Sequence, residues 1–323
     1  MTGPAGLEPV HPRPPTPVTA PPPAETKKSS DLGARILTAS ILIPAVLYLI
    51  YLGGIVYLAA IIGITLLGMR EFYALIAEKG AHPLVHWGYA AGVTLPIVAY
   101  FGNEYHVTML MTAVLLGVMV SQLQRPRIEE ALASISGTFF GVFYVGWLFS
   151  HAIVLRNFHA VVTAKMGPAA GALHSEASGA YYMVFAAVCL VLCDAGAYFA
   201  GRRFGKRKLA PKISPGKSVE GAIGGVLLGT LAGPATKALF TVIAPGLVGG
   251  FGWGAAMLFG FLLSIVGMIG DLVESLLKRD AEVKDAGGLL PGMGGVLDRL
   301  DSPLLGLPLM YYLLLAHTYL QVG

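Results

Sequence analysis

Seven acidic residues, Asp271, Glu274, Asp280, Glu282, Asp285, Asp298 and Asp301, fall within 31 positions of a chain that carries only 18 acidic residues. Carboxylates at that density suit Mg²⁺, which takes one or two of them and completes its shell with water and substrate phosphates. Asp271, Glu274, Ser275, Lys278 and Arg279 recur at helical spacing, and Asp298 and Asp301 share a face if Asp-Arg-Leu-Asp is helical. The alternative is a solvated segment whose charges pair with one another. Gly287, Gly288, Gly292, Gly294 and Gly295 speak for a ligand, because they permit close backbone approach.

The segment 201–218 has the opposite sign, with seven basic residues from Arg202 to Lys217. Within it Ser214-Pro-Gly-Lys-Ser218 resembles the end of a P-loop, but Pro211 stands where that motif needs Gly and no preceding strand is predicted, which excludes the motif. The local physics still favours phosphate. Backbone N–H groups of a Ser-Pro-Gly turn, the Lys217 ammonium and the N-terminus of the next helix would converge on an anion. Attraction of the same cations to anionic lipid headgroups stays open. Nucleic acid is not expected, since Phe204 is the segment's one aromatic residue. Glu220, in the first turn beyond, reads equally as a cap or as a catalytic group. Asp194, Tyr198 and Arg202 lie one helical turn apart, which fits either a structural link or a metal, ligand or proton site.

These residues must be positioned by apolar elements. The chain has 323 residues, 55% hydrophobic and 12% charged, with mean hydropathy +0.70. Such a composition defines an all-α, polytopic integral membrane protein. Runs near 20 residues predict nine transmembrane helices, at 35–52, 54–77, 84–101, 107–123, 131–155, 177–200, 219–244, 247–270 and 303–320. With the N-terminus cytoplasmic, 19 of the 22 Lys and Arg residues fall on the cytoplasmic side, which brings segments 201–218 and 271–302 to the same face. Gly221, Gly225, Gly229 and Gly233 repeat every four residues, predicting a helix gripped closely by a neighbour. Residues 1–30 hold nine of the 21 prolines and no apolar run, which predicts a disordered cytoplasmic tail, with the membrane-embedded domain at 31–323. Cys189 and Cys193 offer neither a disulfide framework nor a zinc spacing.

On two long stretches the chain resembles the phosphatidate cytidylyltransferases, or CDP-diacylglycerol synthases. One is Ser275, Lys278, Arg279, Lys284, Asp285, Pro291, Gly292, Gly294, Gly295, Asp298, Arg299 and Asp301; the other runs from Asp194 to Gly221. RILTASILIP near the first span and GVFYVGWLFS in the fifth extend the likeness more weakly. Met293 departs from the pattern, because the family carries His there, and Met neither shuttles protons nor binds Mg²⁺.

The resemblance implies transfer of CMP from CTP to phosphatidic acid, with Mg²⁺ as cofactor, at the cytoplasmic side of a bacterial inner membrane. It implies Mg²⁺ on Asp271, Asp298 and Asp301, with Asp285 beside them or as an alternative ligand. Lys212, Lys217, Lys278, Arg279 and Arg299 would hold phosphates, Ser214 and Ser218 would donate to phosphate oxygens, and Asp194 would contact the nucleotide or orient a lysine. CTP, phosphatidic acid and membrane lipid are the expected partners, nucleic acid is not, and a homodimer is allowed for. A lipid or polyprenol kinase is the alternative enzyme. A transporter is the alternative outside enzymes, although no internal repeat is visible.

Overall fold

A computed structural model describes residues 30–126, 128–248 and 250–323. The Pro-rich tail therefore lies outside the described residues, apart from Ser30. Twelve α-helices follow in order: α1 Ser30–Leu52, α2 Gly54–Glu78, α3 Val85–Phe101, α4 Glu104–Leu123, α5 Ala131–Gly141, α6 Leu148–Arg156, α7 Phe158–Met166, α8 Pro168–Gly171, α9 Ser178–Phe204, α10 Val219–Ile243, α11 Trp253–Asp280 and α12 Leu297–Val322. A π-helix, Val142–Trp147, joins α5 to α6 without a break, and two short strands, β1 Lys208–Ala210 and β2 Ser214–Ser218, form a hairpin between α9 and α10.

Eight helical runs among the described residues are long and apolar enough to cross a membrane. The ninth expected span is α3, whose 17 residues reach about 25 Å at 1.5 Å per residue. It is short for a ~30 Å hydrocarbon core, yet it joins the same two ends as its neighbours. At its start, Arg125 beyond α4 donates to the His82 carbonyl at 2.8 Å, and Lys79 beyond α2 pairs with Asp280 of α11 at 3.4 Å. At its far end the chain turns into α4 beside the Glu104–Lys165 ion pair. The outward faces of the bundle are apolar, as lipid contact requires, with Ile36, Leu37, Leu227 and Leu231 all well exposed.

Two connections tie the bundle at the end away from the charged segments. Gly53 adopts φ +61 between α1 and α2, and a Cβ there would stand 2.6 Å from Arg156 Nη2. Arg156 in turn donates from Nε to the Ile50 carbonyl at 2.6 Å and from Nη2 to the Tyr51 carbonyl at 3.3 Å, capping the last turn of α1. His174 is buried between Tyr182 Oη at 2.5 Å and Thr318 Oγ1 at 2.8 Å, which fastens the α8–α9 loop to α12.

The glycine row on α10 meets a neighbouring backbone, as its spacing predicts. Added Cβ atoms would lie 2.8 Å from Ala197 O at Gly221, 2.8 Å from Cys193 O at Gly225 and 3.0 Å from Cys189 O at Gly229. All three carbonyls belong to α9. The α9–α10 pair is thus a close backbone contact, and it fixes Asp194 relative to the hairpin that precedes α10.

Two sequence expectations are corrected here. The expected loop 271–302 is mostly helical: α11 runs on to Asp280 and α12 begins at Leu297, so only 281–296 connects them. The expected eighth span therefore lies further along, at Trp253–Asp280. The Ser-Pro-Gly turn is also absent; residues 211–213 turn, while Ser214–Ser218 pairs as a strand with Lys208–Ala210. Ser214 precedes Pro215, which biases it towards extended backbone, and a two-stranded edge tolerates the missing proline N–H.

Candidate active site

Asp271 lies about two and a half turns before the end of α11, and Lys217 sits in β2, immediately before α10. Their side chains meet, with Lys217 Nζ 2.6 Å from Asp271 Oδ2 in an ion pair rather than an aligned hydrogen bond. This contact brings the basic and acidic segments into one site. Around it lies a cavity of about 480 Å³, lined by Asp194, Tyr198 and Arg202 of α9, by Lys217 and Ser218, by Gly221 of α10 and by Asp271. Arg202 Nη1 donates to Tyr198 Oη at 3.0 Å, so the row on α9 links those two and leaves Asp194 facing the cavity.

The hairpin is held rigidly. Ser218 is the N-cap of α10, its Oγ accepting from Gly221 N at 3.1 Å. Glu220 reaches back to accept from Lys206 N at 3.0 Å and Arg207 N at 3.1 Å. Of its two readings, the structure supports an anchoring one. Lys208 Nζ donates to Pro215 O across the hairpin at 2.7 Å. Arg279 Nε donates to Ile213 O at 3.3 Å and its Nη1 to Val283 O at 3.2 Å, strapping the hairpin to α11. Lys212 is exposed in the turn and Ser214 is half-buried in β2; neither lines the cavity.

The second carboxylate group has a different character. Asp298, 6% exposed, accepts from Lys278 Nζ at 2.6 Å, from Ala286 N at 3.0 Å and from Gly295 N at 2.8 Å. Lys278 also donates to the fully buried Glu274 at 3.1 Å. Buried charges are tolerable only when paired; Asp298 is, while Glu274 keeps one buried oxygen, Oε1, without a hydrogen-bond partner. Asp298 and Lys278, expected at a metal and at phosphates, here hold the 281–296 loop over the ends of α11 and α12.

Sequence reasoning placed Glu274 on the acidic face of α11 without a role, and missed Glu71 and Tyr144 as site residues. Glu71 of α2 accepts from Leu297 N at 2.7 Å and so caps α12, whose own N-cap residue, Val296, has no side-chain acceptor. Gly287 and Gly295 leave room for its carboxylate: a Cβ on either would come within 2.5 Å of Glu71 oxygens. Those glycines thus admit a protein carboxylate. The weak signal was a charged residue inside an apolar run. Tyr144 sits in the π-helix within GVFYVGWLFS, buried with an unpartnered hydroxyl and in electrostatic reach of Glu274 and Asp301. π-Turns inside helices often mark functional positions.

Asp301 accepts from Ser302 N at 2.6 Å and interacts electrostatically with Asp271, Asp194 and Arg299. Arg299 also lines a second cavity, of about 670 Å³, with Asp285, Lys284, Met293 and Arg35. No three His, Cys, Asp or Glu side chains among the described residues stand close enough to hold a metal by themselves. Asp194 and Asp271 nonetheless both line the first cavity, with Asp301 in electrostatic reach of each, and Mg²⁺ needs only one or two carboxylates when phosphates complete its shell. The donors present fit such a substrate-completed cation.

The fold and site together define a polytopic membrane protein with carboxylates and basic side chains gathered around a cavity at one end of its helices. The chain belongs to the Cytidylyltransferase family, whose model matches residues 33–317. It is 34% identical to a phosphatidate cytidylyltransferase of Synechocystis sp. over 298 residues, covering 86% of this chain and 94% of that protein. It is 33% identical to the phosphatidate cytidylyltransferase of Brucella suis, covering 87% of this chain and 93% of that one. A Staphylococcus saprophyticus phosphatidate cytidylyltransferase is 43% identical over 141 residues, 44% of this chain and 52% of that protein.

Proposed function

We infer that the protein is a phosphatidate cytidylyltransferase, transferring CMP from CTP to phosphatidic acid to give CDP-diacylglycerol and pyrophosphate. The carrying observation is the Lys217–Asp271 contact inside a cavity at the end of the bundle, because it joins an anion-binding hairpin to a carboxylate helix. A phosphate oxygen of phosphatidic acid attacks the α-phosphorus of CTP. The new P–O bond forms as the bond to the bridging oxygen breaks, and pyrophosphate leaves with that electron pair. The nucleophile's second pKa, near ~6, leaves it mostly ionised at neutral pH. No protein base is needed, which is consistent with Met293 at the family's His position.

Catalysis then rests on positioning and charge neutralisation. Lys217 and the N-terminus of α10 hold the nucleotide's phosphates, and Ser218 keeps that N-terminus aimed at the cavity. Asp271 and Asp301, with Asp194 beside them, would hold Mg²⁺, which when bound neutralises charge on the transferring phosphate. Asp298, Lys278 and Glu274 keep the covering loop in place. CTP is a cytosolic substrate and phosphatidic acid a membrane one, so this end of the bundle faces the cytoplasm; the seven Lys and Arg residues of the 201–218 segment support the orientation. Bacterial relatives support the inner membrane as the location.

The test is an assay of purified protein in detergent with CTP, Mg²⁺ and phosphatidic acid. CDP-diacylglycerol and pyrophosphate are the expected products. Release of CDP with a newly phosphorylated lipid would instead mark a kinase.

A further inference from the structure

One stripe of α9 changes character along its length. Val191, Asp194, Tyr198 and Arg202 follow one another at helical spacing, and all four are exposed. Phe199 beside them is 67% exposed, and Ile223, Leu227 and Leu231 of α10 are exposed as well. Apolar exposure of this kind marks the side that lipid covers. Charged side chains on such a side are rare and mark function.

Asp194, Tyr198 and Arg202 also line the first cavity. Residues that are at once exposed and cavity-lining mark its open side, so the cavity opens sideways along α9. Arg202 lies in the last turn of α9, about 16 Å along the axis from Val191 at 1.5 Å per residue. Tyr198 is one turn nearer to Val191. That end of a span lies at the level of lipid headgroups, where tyrosine and snorkelling arginine are favoured.

The two cations of the cavity are in different states. Lys217 is paired with Asp271, and its Nζ is shielded from solvent. Among the described residues Arg202 forms no ion pair, and its one hydrogen bond goes to the neutral Tyr198 hydroxyl at 3.0 Å. That bond holds the guanidinium at the open side of the cavity and leaves most of its N–H groups for a ligand. A planar fork of such donors matches two oxygens of a phosphate. One cavity of about 480 Å³ thus offers two anion positions, at Lys217 with the N-terminus of α10 and at Arg202.

We propose that Arg202, positioned by Tyr198, recognises the phosphate monoester of the lipid substrate at the lipid-facing side of the nucleotide cavity. The lipid's identity rests on the cytidylyltransferase reading, while the uncompensated guanidinium and the sideways opening stand without it. A phosphate held at Arg202 shares the cavity with a nucleotide held at Lys217, so the two reactants meet while the acyl chains stay in the membrane.

The experiment uses full-length protein in dodecylmaltoside micelles, wild type against Arg202→Gln, Arg202→Lys and Tyr198→Phe. Arg203→Gln is the control, because Arg203 is equally exposed but lies over the Phe204 ring and does not line the cavity. Binding of dioleoyl phosphatidic acid, of inorganic phosphate and of CTP with Mg²⁺ is measured separately, alongside kcat and the KM of each substrate. Arg202→Gln should weaken phosphatidic acid binding by ~10-fold or more and raise its KM in parallel, with CTP binding kept within ~2-fold. Arg202→Lys should recover part of the loss, since it keeps the charge without the fork. Tyr198→Phe should raise the KM for phosphatidic acid by ~3-fold with little change in kcat, as loss of a positioning hydrogen bond requires. Weakened CTP binding with unchanged phosphatidic acid binding would assign Arg202 to the triphosphate and overturn the proposal. Unchanged binding of both would overturn it too, as would an equal effect of Arg203→Gln, which would mean general attraction to anionic lipid. Inorganic phosphate bound as tightly as the lipid would likewise count against it. Arg202-dependent lipid binding by a wild-type protein that makes no CDP-diacylglycerol would keep the site and remove the enzymatic reading.

Discussion

Lys217 and Asp271, 54 residues apart in the chain, form a 2.6 Å ion pair at the mouth of the α9–α10 cavity, each side chain about a quarter exposed. The Lys217 ammonium is nonetheless shielded at its nitrogen and makes no aligned hydrogen bond, so its donor capacity is left for a substrate oxygen to complete. Lys217→Ala and Asp271→Asn should therefore each cut kcat by ~10²–10³, the usual effect of losing one preorganised electrostatic group. Their melting temperatures should stay near that of wild type. Turnover of CTP with phosphatidic acid, beside thermal unfolding in detergent, checks both halves.

Lys278 and Asp298 should behave oppositely. They are mutually bonded and nearly buried, and Lys278 is the cation shared by Asp298 and Glu274. Lys278→Met therefore leaves uncompensated buried carboxylates and should destabilise the protein by about 3–5 kcal/mol. Asp298→Asn, which leaves Lys278 paired with Glu274, should cost less. Thermal unfolding of the variants reads this directly. A variant with wild-type stability and no turnover would return Asp298 to the metal site.

Gly225→Ala should act through geometry. Its Cβ would stand 2.8 Å from Cys193 O, which α9 relieves only by moving away. Overpacking of this kind costs about 1–3 kcal/mol. The shift should also lower kcat, because Asp194 and Lys217 sit on the two elements that part. Gly246→Ala, in open space, is the control and should change neither.

Removal of divalent cations should abolish turnover and added Mg²⁺ should restore it. With Asp301→Asn the Mg²⁺ concentration for half-maximal rate should rise, since one of few oxygen donors is lost. Full activity in excess chelator would contradict the cation's role.

His174 predicts a pH dependence at the other end of the molecule. Burial, helped by His159 and His317, pushes it down from 6.5 to about 4. Thr318 spends its own proton on the Leu314 carbonyl, so the imidazole donates to Thr318 and accepts from Tyr182, which only the neutral ring can do. Below pH 6.5 the unfolded chain takes up a proton that the folded one refuses, so stability should fall from there towards pH 4, by about 2 kcal/mol at pH 5. His174→Gln should lose less between pH 7 and pH 5 than wild type in the same unfolding measurement.

Most of the architecture is legible from local pattern. Apolar run length marks the helices, the four-residue glycine period on α10 marks its close contact, and charge asymmetry places the 201–218 and 271–301 segments at one end. These features are set by nearest neighbours along the chain and by the need of backbone groups in lipid to bond within their own helix.

What the sequence determined by itself was therefore the set of chemical groups and the end of the bundle at which they gather. The tertiary structure decided which of them are free. Asp271 and Asp298 look alike in sequence, yet one meets a lysine at an open cavity while the other is enclosed by Lys278, Ala286 N and Gly295 N. Glu71 caps a helix that starts 226 residues later, and Ser214–Ser218 became a strand because Lys208–Ala210 lay beside it. The physical reason is common to all three. A carboxylate's oxygens or a segment's backbone groups are taken by whichever donors folding brings within about 3 Å, and those donors lie outside any local window of sequence.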